Sequence, residues 1–277
     1  MNYEHRIVAF IDILAFASLL KKTRRQRGTG NSFDNEEVIE KLFKVFKRIR
    51  YLMGVDEPSD DIAESRRVSQ FSDSVFISFI PEEEPKEFQY LLGELLYLHV
   101  ELVRHNILIR GGVAYGPMIH AHEIIFGPAL VQAYKLESSA AISPRIILPQ
   151  SLYKSDSEFN KLIIDRGSTA KLEDLLSLDE DDYYYLDYFD KCQLRNLGIF
   201  TNDINYINHL IKLKEVITKG LKSAEPGIYS KYGWMKSKWN RTISKYKSPE
   251  RLELLKLDGK NDLHNYFLNA QLIETSM

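Results

Sequence analysis

The stretch Phe71–Phe79 reads FSDSVFISF. Apolar and small polar residues alternate along it and aromatics recur, the pattern of a half-buried strand. Asp73 interrupts that pattern, and aspartate is poor in strands. A carboxylate taken out of water is expensive unless something pairs with it. Two short runs flank Ser72-Asp73, so the spacing predicts a tight hairpin within Arg67–Ile80, with the acid at its turn. The question this leaves is what stabilises the carboxylate.

Upstream, Ile7–Leu14 (IVAFIDIL) is a continuous apolar run broken once, by Asp12. Such a run fits a central strand buried on both faces. The polar, basic stretch KKTRRQRGTGNS follows, with glycines at 28 and 30. Glu36–Met53 then carries Val38, Leu42, Val45, Phe46, Ile49 and Leu52 at helical spacing, with Gly54 as its stop. Downstream of the hairpin, Phe88–His105 is a second helix, with Leu91, Leu92, Leu95, Leu98 and Leu102 on its apolar face. Ile107–Tyr115 (ILIRGGVAY) is a strand that a turn at Gly116-Pro117 is expected to end. Pro128–Ser139 reads as a helix with proline near its start. Arg145–Leu148 and Tyr183–Phe189 are shorter strands, the second after the acidic run DEDD at 179–182, which reads as a solvated turn. From about Asp203 the pattern is helical to the end.

The order over 1–130 contains the β-α-β-β-α-β arrangement of ferredoxin-like palm folds, so the fold class expected is α/β in the α+β sense. The expected division is a catalytic domain over 1–190 and a helical C-terminal extension over 191–277.

The bulk numbers exclude several classes. The chain has 277 residues, 44% hydrophobic and 27% charged, with a formal net charge of -2. That balance exerts no global pull toward nucleic acid or anionic membrane. Cys192 is the only cysteine, so no disulfide framework or thiolate zinc site forms within one chain. No apolar run reaches the roughly 18 residues of a spanning helix, and the N-terminus lacks a signal-peptide shape. A cytoplasmic protein with no membrane association is expected. KKTRRQR is read as a solvated loop, not a nucleic-acid arm.

Asp12 and Asp73 each interrupt an apolar strand, and β-α-β-β connectivity makes those strands neighbours. Two carboxylates brought together repel one another. Each alone reads equally as a turn cap or as a partner of a basic residue such as Arg110. Together, in this strand order, they favour a divalent cation, because Mg²⁺ and Mn²⁺ prefer carboxylate and carbonyl oxygens. Arg110 ends ILIR before Gly111 and Gly112, where its donors suit phosphate oxygens and the glycines admit a ligand's close approach. Lys135, on the helix after Gly127-Pro128, reads either as a phosphate contact across an interface or as a solvated lysine. His120-x-His122 puts two rings on one strand face, a pair with no third metal ligand in view.

These segments in this order resemble the class III nucleotidyl cyclase catalytic domain over roughly residues 6–140. VAFIDILAF is similar to its first strand, FSDSVFISF to its metal hairpin, IRGGVAYG to its R-x-G-x-x-x-G strand, and FGPALVQAYKLES to its G-x-x-x-N-x-x-x-R-x-E segment. The resemblance implies two divalent cations, Mn²⁺ or Mg²⁺, held by Asp12, Asp73 and the carbonyl of Ile13. It makes Arg110 a triphosphate contact and implies a homodimer with active sites at the interface. Val131 stands where the family has its transition-state asparagine, and Lys135 where it has arginine. Ser69 and Ile124, or Glu123 with a one-residue slip, occupy the purine-reading positions without the residues of adenylyl or guanylyl cyclases. The family's late phosphate-binding lysine motif is missing.

Among the branches, the bacterial pyrimidine cyclases of anti-phage defence (Pycsar cyclases) resemble the chain most, in size, in the hairpin motif and in the late segment KYGWMKSKWNRTI. That implies conversion of UTP, favoured over CTP, to a 3′,5′-cyclic nucleotide and pyrophosphate. Tyr51, Ser69 and Phe16 are then the base-side and substrate-binding candidates, and Lys135 with Arg110 the catalytic ones. The competing expectations are a purine cyclase and a non-catalytic nucleotide sensor on the same fold.

Overall fold

The fold was read from a computed structural model describing residues 2–26, 32–52, 54, 65–83, 86–121, 124–152, 157, 159–161 and 175–274, with the side chains of 25, 26, 32 and 33 left aside. The first half comprises β1 (Glu4–Ile13), α1 (Phe16–Lys21), β2 (Arg24–Gln26), β3 (Ser32–Asp34), α2 (Glu36–Leu52), β4 (Arg67–Phe71), β5 (Ser74–Phe79) and α3 (Glu87–Arg104). It continues through β6 (Ile109–Ala121), β7 (Ile124–Phe126), α4 (Pro128–Lys135), a π-helical turn (Leu136–Ala140) and β8 (Ile146–Pro149). Then come β9 (Ser177–Leu178), β10 (Tyr183–Tyr185), α5 (Lys191–Asn196), α6 (Asp203–Gly220), α7 (Pro226–Tyr246), α8 (Pro249–Leu257) and α9 (Asn261–Asn269). The class is α+β.

An eight-stranded mixed sheet runs in the order β4-β5-β1-β6-β8-β10-β9, with β7 pairing β6 off the main path. The β4-β5-β1-β6 quartet is antiparallel throughout, and β8 alone adds in parallel to β6. Because β5 is antiparallel to both β1 and β4, those two strands point the same way with β5 between them, a split β-α-β unit.

The apolar run of β1 is buried on both faces, as its composition requires. Ile7, Ala9, Ile11 and Ile13 face one core with Leu42, Val45 and Ile49 of α2 and Leu91, Leu95, Leu98 and Leu102 of α3. Val8 and Phe10 face the other, smaller core, where Ala129 and Ala133 of α4 pack with Ala114, Met118 and Ile147. By strand alternation Asp12 belongs to this second face. The larger core does not stop at residue 190. It runs on through Leu210 and Leu213 of α6, Trp239 of α7 and Phe267 of α9, so the C-terminal helices close the N-terminal part's core instead of building their own.

Several sequence expectations change. β6 does not turn at Gly116-Pro117 but continues to Ala121, with Pro117 opposite His5 of β1. Along 113–118 neither β8 nor β7 pairs with β6, so the proline lacks an N–H where no ladder bond is needed. Tyr183–Phe189 is a strand only as far as Tyr185. In the basic stretch after β1, Arg24–Gln26 pairs with Ser32–Asp34 as the ribbon β2–β3. Gly28, Gly30, His122 and Glu123 lie outside the described residues.

The hairpin turns on Ser72-Asp73, with Phe71 paired to Ser74. Ser72 has φ 54, in the left-handed region. A side chain there costs about 1–2 kcal/mol relative to glycine, part of which glycine's extra unfolded-state entropy cancels. Ser72→Gly is therefore expected to stabilise the protein by about 0.5–1 kcal/mol, read as a raised midpoint in thermal melting. A lowered midpoint would remove strain from the account of this turn.

Candidate active site

At one end of the sheet, backbone register places Asp12 between Ser74 on β5 and Arg110 on β6. The Ser74 hydroxyl donates to Asp12 Oδ1 at 3.2 Å, and Arg110 Nη2 stands 3.9 Å from Asp12 Oδ2. Asp73, at the hairpin turn, is close enough to act on the same carboxyl. Burial first, and Asp73 second, push Asp12 up to about 6 against the pull of Ser74 and Arg110. Arg110 does not neutralise Asp12 fully because its Nε is 2.5 Å from Glu137 Oε1.

Glu137 is the functional candidate that residue-by-residue reading passed over. Its side chain is 3% exposed, and burial pushes its carboxyl up to about 6 in spite of Arg110, with Asp12 and Asp73 adding to the rise. The signal for it was present in the sequence. Ala129, Ala133 and Glu137 recur at i, i+4 and i+8, so an acid falls on the apolar face of α4. The chain widens into the π turn Leu136–Ala140 at that point, a distortion common at functional sites. Gly112 permits this packing. A Cβ there would stand 2.5 Å from both the Ala133 oxygen and Leu136 Cβ, so this glycine serves helix–sheet contact and not the approach of a ligand.

The other candidates divide by sheet face. Ile13 turns its buried side chain into the larger core, which leaves only its backbone oxygen for a ligand. Phe16 packs edge-on against Phe46 of α2 at 5.7 Å and supports that same core. Tyr51 is 68% exposed, with the Arg48 guanidinium 5.5 Å over its ring. It sits on a helix covering the sheet face opposite Asp12. Lys135 and Val131 are exposed on the outer side of α4, where they line an open hollow with Tyr3, Gly127, Pro128 and Gln132. Within one chain, neither Lys135 nor Tyr51 joins the Asp12 cluster.

Ser69 shares the Asp12 face and is fixed by a relay. His120 Nε2 is 2.8 Å from Ser69 Oγ, and its Nδ1 is 2.8 Å from Ser78 Oγ. Arg6 Nε donates to that same Ser78 oxygen. Ser78 is fully buried, so its own hydrogen is satisfied only by donation to His120 Nδ1, which makes Nε2 the donor toward Ser69. Burial, Arg6 and Arg67 hold the ring down to about 4, hence neutral. With both nitrogens engaged, His120 is not available as a metal ligand.

No protein-family model matches this chain, and no curated protein matches it. Asp12 and Asp73 form a pair of hard oxygen donors in partial burial, with a carboxyl whose ionisation the protein alone disfavours. That donor set fits a divalent cation of the Mg²⁺ or Mn²⁺ kind.

Proposed function

We propose that the protein is a class III nucleotidyl cyclase with the ferredoxin-like palm of that family, acting on a pyrimidine nucleoside triphosphate, UTP favoured over CTP. The observation that carries the reading is the carboxylate pair of Asp12, on β1 beside Arg110, and Asp73, at the turn of the neighbouring β4–β5 hairpin of a split β-α-β sheet. In the reaction the ribose 3′-oxygen attacks the α-phosphorus and the α–β phosphoanhydride bond breaks. Pyrophosphate leaves with the electron pair, and the hydroxyl proton passes to solvent.

Asp12, Asp73 and the Ile13 carbonyl would hold two cations, Mn²⁺ or Mg²⁺, which supply Lewis acidity to the attacking oxygen and neutralise phosphate charge. Arg110, tethered at Nε by Glu137, keeps its remaining donors for the leaving phosphates. Ser74 orients the Asp12 carboxylate. Ser69, held by His120, presents its hydroxyl hydrogen on the substrate side of the sheet, suited to an acceptor such as the uracil O4. The exposure of Lys135 supports an assembly in which a second copy's lysine completes each site, a homodimer. By resemblance such a product serves as a signal in anti-phage defence.

The same exposure of Lys135 favours one competing reading, a nucleotide sensor that binds without turnover. Incubation with each of the four nucleoside triphosphates and Mn²⁺, with cyclic product and pyrophosphate both quantified, separates the two. Cyclic UMP or cyclic CMP is expected. Binding without any cyclic product establishes the sensor, and cyclic purines alone overturn the base assignment.

Among the described residues, no helix is long and apolar enough to cross a bilayer.

A further inference from the structure

We propose that Glu137 is a positioning residue: it holds the Arg110 guanidinium off Asp12 and so keeps the Asp12–Asp73 pair open for a divalent cation. The inference rests on the metal reading of that pair and not on which nucleotide is used.

Asp12 and Arg110 are register partners across β1 and β6. Directly opposite residues on one sheet face lie about 4.5–5.5 Å apart at Cβ, so an acid and an arginine placed there are natural ion-pair partners. A guanidinium closed on that carboxylate would occupy the oxygens that a cation needs. Two other arginines show what the side chain does when two carboxylates are in reach. Arg66 closes on Glu87 at 2.6 Å and on Glu94 at 2.7 Å. Arg145 closes on both Asp179 and Asp181 of the run DEDD, which is thus an anchor and not a solvated turn. Arg110 also has two carboxylates beside it, yet it closes on one. Its Nε stands 2.5 Å from Glu137 Oε1, while its Nη2 stays 3.9 Å from Asp12 Oδ2.

The fold explains the choice. Arg110 and Gly112 share a face of β6 by strand alternation. With no Cβ at Gly112, the π turn Leu136–Ala140 settles onto that face: a Cβ there would stand 2.5 Å from Leu136 Cβ and 3.1 Å from Glu137 N. Glu137 therefore enters from the helix side with its side chain almost wholly buried, and takes Nε, the guanidinium nitrogen nearest the strand. The guanidinium is a rigid plane, so fixing Nε fixes where both Nη atoms point. Ser74 meanwhile draws Asp12 toward β5, donating to Oδ1 at 3.2 Å. Oδ2, the oxygen on the Arg110 side, is thereby kept from a close ion pair. An arginine here is useful to a phosphate and a competitor to a cation at once, and Glu137 separates the two roles.

The test is a double-mutant cycle read as the Mn²⁺ affinity of the full-length protein without nucleotide, by calorimetric titration. Wild type, Glu137→Gln, Arg110→Gln and the double variant are compared, with melting temperatures recorded in chelator. Glu137→Gln keeps the shape of the side chain and frees the guanidinium to close on Asp12. It is expected to weaken Mn²⁺ binding by about tenfold or more, since a charge-assisted hydrogen bond must then be displaced. Arg110→Gln is expected to bind Mn²⁺ at least as tightly as wild type. In that background the Glu137 substitution should change the affinity by less than about threefold. Equal affinity of wild type and Glu137→Gln overturns the inference, as does a wild type that binds no Mn²⁺. An equal loss in both backgrounds overturns it too, because Glu137 would then act by its own charge or as a ligand and not through Arg110. So does an Arg110→Gln variant that binds more weakly than wild type, an arm that stands even where Glu137→Gln does not fold. The expected cycle with no cyclic product from any nucleotide keeps the positioning role and rejects the cyclase. Cyclic product from wild type, with equal Mn²⁺ affinity in wild type and Glu137→Gln, does the reverse.

Discussion

Asp12→Asn is expected to lower kcat/KM for cyclic nucleotide formation by about a thousandfold or more, since metal-ion catalysis contributes several kcal/mol. The same substitution should stabilise the metal-free protein. Asn keeps an oxygen to accept from Ser74 and removes the charge that burial and Asp73 oppose. A carboxyl raised from 3.8 to about 6 costs the ionised fold about 3 kcal/mol. The sign follows from proton binding. Between those two values the folded state holds a proton that the unfolded chain has lost, so the penalty is absent at acid pH and fully developed above about 6. In chelator, Asp12→Asn should therefore melt higher than wild type at pH 7.5, by an amount that shrinks toward pH 4. Added Mn²⁺ should raise the wild type's melting temperature and leave the variant's unchanged. Asp73→Asn should lose activity to a similar extent. Full turnover in either variant would sink the two-metal reading. An equal response to Mn²⁺ in wild type and Asp12→Asn would move the metal elsewhere.

Much of this end of the sheet was legible from local pattern. β1, the Ser72-Asp73 hairpin, α2, α3 and α4 each carry their own periodicity, and strand alternation alone puts Asp12 on the α4 face. Connectivity then supplied the neighbours, because a strand inserted between two parallel ones leaves few arrangements. What failed to show was long-range. DEDD looks like any acidic turn until Arg145, before β8, and Trp234 and Lys238, both on α7, converge on Asp179 from two separate segments. Tyr51 and Phe16 are ambiguous by type, as aromatics near a site segment are, and only the fold shows Phe16 packed on Phe46 and Tyr51 exposed. Glu137 lies between these cases, since its helical spacing was readable but its ion pair with Arg110 depends on a π turn that residue pattern does not announce.

A second large effect arises far from the aspartates, where α6 docks on α3. His99 of α3 is fully buried, stacked on Tyr188 with centroids 3.9 Å apart, and among the described residues neither ring nitrogen has a hydrogen-bond partner. Burial and the neighbouring His209 hold its imidazole down to about 3. His209 of α6 is itself buried and bonded through Nε2 to the Tyr188 carbonyl, and burial holds it down to about 4. The nitrogen facing that carbonyl must carry the hydrogen, so the neutral tautomer is fixed. Both rings are neutral in the fold, while in the unfolded chain they take up protons below the ordinary 6.5. Their contribution is therefore present above that value and lost as pH falls toward 4, opposite in sign to that of Asp12. At pH 5 each lowered histidine withdraws about 2 kcal/mol relative to pH 8, a large share of a stability of about 5–15 kcal/mol. His99→Phe keeps a ring against Tyr188 and removes two unsatisfied nitrogens, so it is expected to be no less stable at pH 8. Its advantage over wild type should grow by about 2 kcal/mol between pH 8 and pH 5, measured by denaturant unfolding at each pH. Comparing the two proteins cancels the opposing titration of Asp12 and Glu137, which both share. A gap between wild type and His99→Phe that is constant with pH would mean that His99 reaches solvent or a partner in the folded state, and the docking of α6 would then have to be loose enough to admit one.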